Sequence, residues 1–130
     1  MFDTDICIFL IKRKSEKILK RLEMCVFGDV GISTITLAEL RFGVEKSAHA
    51  AENKAALEEF LIPLEVADFD DRAASAYGKV RLALESWGNS IGALDTQIGA
   101  HALSLNAVLV TNNTREFGRI KGLRVENWAA

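Results

Sequence analysis

Four acidic residues, Asp3, Glu39, Asp95 and Glu116, stand where short apolar runs give way to helical stretches. If those transitions meet in space, the carboxylates meet too. Two unit charges of one sign at 4 Å repel by about 4 kcal/mol at an effective dielectric near 20, so ionised carboxylates gather only around cations or shared protons. A divalent metal is the simplest resolution, and oxygen donors without paired His or Cys favour Mg²⁺ or Mn²⁺ over zinc. Such an ion activates water near neutral pH and stabilises a developing oxyanion.

The same acids also suit a plainer role. An acid near a helix N-terminus is ordinarily a cap or a partner of the helix dipole. Thr36-Leu37-Ala38-Glu39 matches a capping box, Asp5 and Asp95 suit N-caps, and Glu116 suits support of a turn begun by Thr114. Asp95 fits the plain role least. It follows Ile91-Gly92-Ala93-Leu94 and precedes Ile98, with no basic neighbour for several residues, and burial there needs compensation. Asp3 is similarly set between Phe2 and Ile6-Cys7-Ile8-Phe9.

The elements that must position these acids alternate along the chain. Helical spacing covers Asp5 to Lys12, and Ser15 opens a second helix with Ile18, Leu19 and Leu22 on one side. Val30 to Ser33 reads as a buried strand, followed by a helix through Leu37, Leu40 and Val44. Residues 52–61 form another helix, and Pro63 separates it from the strand Leu64-Glu65-Val66. A helix from Asp70 to Ser86 ends at Gly88. Ile91 to Leu105 holds the next, with Asp95 at the head of its 96–105 stretch. Ala107 to Val110 is a strand, Arg115 to Arg119 a helical turn and Leu123 to Val125 a last strand. Strands alternating with helices predict an α/β sandwich around a mainly parallel sheet, with ligands bound outside the carboxyl ends of its strands.

Composition narrows the classes. With 130 residues, 49% hydrophobic and 26% charged, the chain reads as one globular domain spanning 1–130. Its formal charge of -2 provides no global attraction for polyanions, so any nucleic-acid contact must be local. No apolar run approaches the ~20 residues a membrane helix needs. Met1-Phe2-Asp3-Thr4-Asp5 lacks the pattern of a secretory signal, which makes the cytoplasm the default. Cys7 and Cys25 have no metal or disulfide spacing and read as small core residues. His49 and His101 lack a nucleophile partner and read as structural or exposed, and Trp128 as closing the core or an interface.

The chain resembles the PIN-domain ribonucleases of the VapC toxin type. The matching pieces are Asp3-Thr4-Asp5-Ile6, Ile32-Ser33-Thr34-Ile35-Thr36-Leu37-Ala38-Glu39-Leu40, Ile91-Gly92-Ala93-Leu94-Asp95 and Val110-Thr111-Asn112-Asn113-Thr114-Arg115-Glu116-Phe117, in family order and across essentially the whole chain. The resemblance implies a PIN-like three-layer fold and a Mg²⁺- or Mn²⁺-dependent endoribonuclease of a toxin-antitoxin pair. It implies a homodimer held inactive by a small VapB-type antitoxin, and an RNA substrate for which a tRNA anticodon loop is a candidate. Carried over position by position, Asp3, Glu39 and Asp95 match the three family acids. Glu116 is favoured as the fourth, with Asn113, where many members have Asp, as a neutral contact and Thr111 orienting the site. All four acids are then both catalytic and metal-binding. Asp5, where Asn is frequent, is a helix cap or an outer acid. Only Met1 and Phe2 precede Asp3, which leaves either a truncated first strand or a true start further upstream.

RNA needs positive charge near this acidic pocket. Lys12, Arg13, Lys14, Lys17, Lys20 and Arg21 crowd one window against Glu16 alone, and a solvated helix face explains them as well as RNA contact does. Arg115, Arg119, Lys121 and Arg124 form a second group, ranked first for phosphate contact by closeness to Glu116. Two alternatives differ in class: a catalytically inactive PIN-like interaction module, which Asn113 leaves open, and a receiver-like phosphorylation domain, which lacks its acidic pair at the first strand.

Overall fold

The computed structural model describes residues 1–12, 16–25 and 28–129. Strand β1 (Gly31–Ser33) pairs in parallel with β2 (Glu65–Ala67), and β3 (Leu109–Val110) pairs in parallel with β4 (Val125–Glu126). Phe2 joins the two ladders. It forms a parallel bridge with Val110 and donates its backbone N–H to Gly31 at 2.9 Å. Met1 supports that bridge by accepting from Val110 N–H at 2.8 Å. In place of a first strand, Phe2 is a single bridging residue.

Among the described residues seven helices flank these strands: α1 (Thr4–Ile11), α2 (Glu16–Glu23), α3 (Thr34–Glu45), α4 (Ala50–Leu61), α5 (Asp71–Ser86), α6 (Ala93–Ser104) and α7 (Thr114–Phe117). Successive side chains on a strand face opposite ways, and the packing follows that alternation. Val110, with Phe2 and Ile32, packs among Ile6, Leu10, Ile18, Leu40 and Leu57. Its neighbour Leu109 packs on the other side, among Val80, Leu84, Ile98, Phe117 and Ile120. Two cores on two faces make the three-layer arrangement, and each fully buried Phe, Ile or Leu contributes about 1.5–3 kcal/mol.

Two glycines permit close approach. A Cβ on Gly31 would lie 2.5 Å from the Glu65 carbonyl oxygen, and one on Gly99 would lie 2.4 Å from Ile120 Cδ1. The second explains how α6 becomes buried on most of its circumference, from Thr96 to Ala102.

Several boundaries differ from expectation. Asp3, not Asp5, caps α1 by accepting the Ile6 N–H. Ser33 caps α3, so Thr36 and Glu39 lie inside that helix and form no capping box. Gly92 occupies the cap position of α6, which places Asp95 in its first turn. In each case the helix starts earlier than the acid suggested; α3 does so because β1 ends at Ser33, whereas α6 follows a turn after α5. The fourth helix begins at Ala50, and the last strand is Val125–Glu126. Cys25 is only half-buried. The expected helix start at Ser15 and the candidate contact Lys14 lie outside the described residues.

Candidate active site

Parallel strands deliver their carboxyl ends to one edge, and there Phe2 leads into Asp3, Ser33 into α3 and Val110 into Thr111. Asp3 is 3% exposed. Its Oδ1 accepts the Ile6 N–H at 3.0 Å, and its Oδ2 accepts the hydroxyl of the fully buried Thr111. Burial pushes the Asp3 carboxyl above the ordinary carboxylate range; the bonds from Thr111 and Ile6 pull the other way, and the charges of Asp5 and Glu39 push further up. Thr111 Oγ1 also accepts the Asn113 N–H at 2.9 Å, and Asn113 Nδ2 donates to Glu116 Oε2 at 2.8 Å. Thr111, Asn113 and Glu116 therefore form one chain of contacts ending on Asp3.

Glu39 projects from α3 about one and a half turns after its start. The Thr4 hydroxyl donates to Glu39 Oε1 at 2.7 Å, with Thr36 Oγ1 3.4 Å away. Nothing local in the sequence signals the bond from Thr4 to Glu39, which joins residues 35 positions apart. Asp95 is half-buried, and among the described residues no hydrogen bond reaches its carboxylate. Its pKa is raised to about 6, first by burial and then by the charges of Asp3, Glu39, Asp5 and Glu116. Those four acids and Asp95 thus share one field, with Asp5 exposed at its edge.

The donor set has the chemistry of a hard-cation site: carboxylate and hydroxyl oxygens, without sulfur or imidazole. It is not closed. Among the described residues no three His, Cys, Asp or Glu side chains are drawn into a ready ligand cluster. Like charges without a counter-ion stand apart, and Thr4, Thr111 and Asn113 each hold one acid by a single oxygen.

The basic candidates divide by position. Arg115 and Lys121 are exposed, and Arg119 Nη1 donates to the Ser90 carbonyl at 3.1 Å, beside the loop that enters α6. Arg124 instead donates to the Asn106 carbonyl at 2.6 Å, at the amino end of β3 and away from the acids. Lys12 lines a groove that also reaches Glu39. Trp128 packs edge-on against Phe2, with ring centroids 5.4 Å apart, and so closes the core beneath Asp3. Among the described residues no helix is long and apolar enough to cross a membrane.

An α/β sandwich with acids gathered at the carboxyl edge of a parallel sheet defines a class, and the family model described as "PIN domain" matches residues 1–123. The chain is 45% identical over 128 residues to the tRNA(fMet)-specific endonuclease VapC of Salmonella typhimurium, covering 98% of this chain and 96% of that one. It is 42% identical over 129 residues to Ribonuclease VapC2 of Rickettsia felis, covering 98% and 96%. Among solved structures, DNA-bound VapBC from Salmonella typhimurium matches with TM-score 0.94 at 45% identity over 98% of this chain and 96% of that one. VapBC2 from Rickettsia felis bound to a promoter DNA fragment matches with TM-score 0.93 at 41% identity over 98% and 97%. The chain belongs to the VapC ribonucleases of the PIN-domain family.

Proposed function

We propose that this ribonuclease is a Mg²⁺- or Mn²⁺-dependent endoribonuclease toxin whose metal is held by Asp3, Glu39, Asp95 and Glu116. The observation that carries the reading is Asp95: a half-buried carboxyl without hydrogen-bond partners among the described residues, lifted to about 6 first by burial and then by the four acids around it. Such a field costs stability unless a cation enters it. When bound, the dication supplies Lewis acidity, easing deprotonation of water and offsetting charge on the attacked phosphate.

The protein's own part is positioning and charge. Thr111 and the Ile6 N–H hold both oxygens of Asp3 at the sheet edge, whereas Thr4 on Glu39 and Asn113 on Glu116 each fix one oxygen and leave the other available. Ionised acids at pH 7 supply the affinity for the cation, and Asp95, with both oxygens uncommitted, has the most to gain from it. Arg115 and Arg119, on the side where α7 follows Thr111, are suited to hold the RNA backbone against the acids.

Relatives named tRNA(fMet)-specific endonucleases support tRNA as the substrate to try first, with cleavage in the anticodon loop. The relatives solved as VapBC complexes support a VapB-type antitoxin as partner. A groove of about 320 Å³ between α1, α3 and α4, lined by Ile8, Ile11, Leu40, Val44 and Leu57 and reaching Glu39, suits an apolar helix of such a partner.

The test uses purified chain freed of any antitoxin. Cleavage of tRNA should require Mg²⁺ or Mn²⁺ and stop on chelation. Asp95→Asn should slow it by more than the roughly 10–100-fold that loss of an outer partner costs, with an unchanged circular dichroism spectrum. Equal rates for parent and variant would remove Asp95 from the mechanism. Inert parent protein that still binds a small antitoxin would instead support an inactive interaction module.

A further inference from the structure

His101 is 1% exposed on α6, and its Nδ1 lies 2.7 Å from the Ser33 hydroxyl, 68 residues away. Ser33 is the cap of α3, and its oxygen already accepts the Ile35 N–H at 3.1 Å. The arrangement that uses every group therefore has the hydroxyl donating to Nδ1 and the ring proton on Nε2. Among the described residues no hydrogen bond of ordinary geometry reaches Nε2, and the Asp68 backbone makes only a looser contact with the ring. Phe69 packs edge-on against the ring at 5.4 Å between centroids, while its own N–H donates to Thr34 Oγ1 at 3.1 Å. Burial holds the imidazole below its ordinary range although Asp70 and Asp68 favour the cation. A position that served packing alone would be filled by an apolar side chain, with no orphaned nitrogen to desolvate.

The bond joins the two helices that carry Glu39 and Asp95. From Ser33, six residues forward along α3 lead to Glu39; from His101, six residues back along α6 lead to Asp95. At the helical rise of 1.5 Å per residue, each acid lies about 9 Å from the tie. A small tilt of either helix at the tie therefore becomes a displacement at the acids. We propose that His101, acting through Ser33, is a positioning residue that sets the opening between Glu39 and Asp95, and so the fit of the metal. This rests on the metal-site reading above.

Two variants separate the bond from the volume. His101→Leu fills the space without a polar atom, whereas His101→Asn keeps a polar atom on Cγ, where Nδ1 stands. Three measurements compare them with the parent: thermal melting, Mn²⁺ affinity by titration calorimetry without RNA, and kcat and KM on a tRNA substrate. His101→Leu should still fold and melt cooperatively, yet lose about 10–100-fold in Mn²⁺ affinity and in kcat, with KM unchanged. His101→Asn should recover most of both. A folded His101→Leu protein that binds Mn²⁺ and turns over like the parent would overturn the proposal, as would an Asn variant no better than the Leu one. If the parent itself binds no Mn²⁺, the metal reading fails by itself. The positions of α3 and α6 in crystals of His101→Leu then decide, and unmoved helices refute the tie.

Discussion

Asp3 and Asp95 are the same residue type at the same sheet edge, and the protein treats them differently. Asp3 is built into the scaffold: it caps α1, accepts from Thr111 and lies beneath 3% exposure. Among the described residues Asp95 has no hydrogen-bond partner, and its charge is opposed by burial and by every acid around it. The contrast separates a carboxylate that also holds the fold from one whose only evident use is charge. Structural cost should therefore fall on the first and functional cost on both.

The largest effects test that division directly. Asp3→Ala and Asp95→Ala should each lower RNA cleavage by more than about 10–100-fold, measured on tRNA in saturating Mn²⁺. They should part company in the melt. Asp3→Ala loses a cap of about 1 kcal/mol and leaves the buried Thr111 hydroxyl unpaired at a further cost of about 1–3 kcal/mol. Asp95→Ala should match or exceed the parent in chelator. Equal destabilisation of the two would erase the comparison.

A smaller effect concerns Glu39, which lies between the two extremes. Thr4→Val keeps shape and removes the one hydroxyl bonded to Glu39 Oε1. Cleavage should fall about tenfold with KM unchanged, and a rate equal to the parent would show that Thr4 positions nothing.

The smallest effect is electrostatic. Asp95 titrates at about 6 in the folded chain against an ordinary 3.8, so its ionised form opposes folding wherever the pH exceeds the lower value. Stability of metal-free protein should rise as pH falls from 7 towards 4, by on the order of 1 kcal/mol after solvent screening of a partly exposed group. The raised Asp3 carboxyl acts in the same direction. Denaturant titrations in chelator should show this slope, Asp95→Asn should flatten it, and saturating Mn²⁺ at pH 7 should offset it. A slope of opposite sign would show that the acids are not repelling one another.

Much of this architecture was legible in residue types. Apolar runs at 30–33 and 107–110, helical spacing from 70 to 86 and the family-ordered acids gave the element order and the candidate carboxylates. Helix starts were less legible. A cap is set by where the chain enters the helix, at the end of β1 for Ser33 and after the turn that follows α5 for Gly92, so these took the places that Thr36 and Asp95 had seemed to claim. Thr4 on Glu39 and His101 on Ser33 were invisible, since each bond joins residues far apart in the chain and neither partner carries a local pattern.

Residue chemistry alone determined that this chain carries acids suited to a hard cation and the alternating apolar segments of an α/β sandwich, because both follow from side-chain type and short-range spacing. Only the tertiary structure decided how those acids differ. Burial, mutual repulsion and long-range hydrogen bonds depend on which helices meet at the sheet edge, and it is their meeting that made Asp3 a scaffold residue and left Asp95 an uncompensated charge.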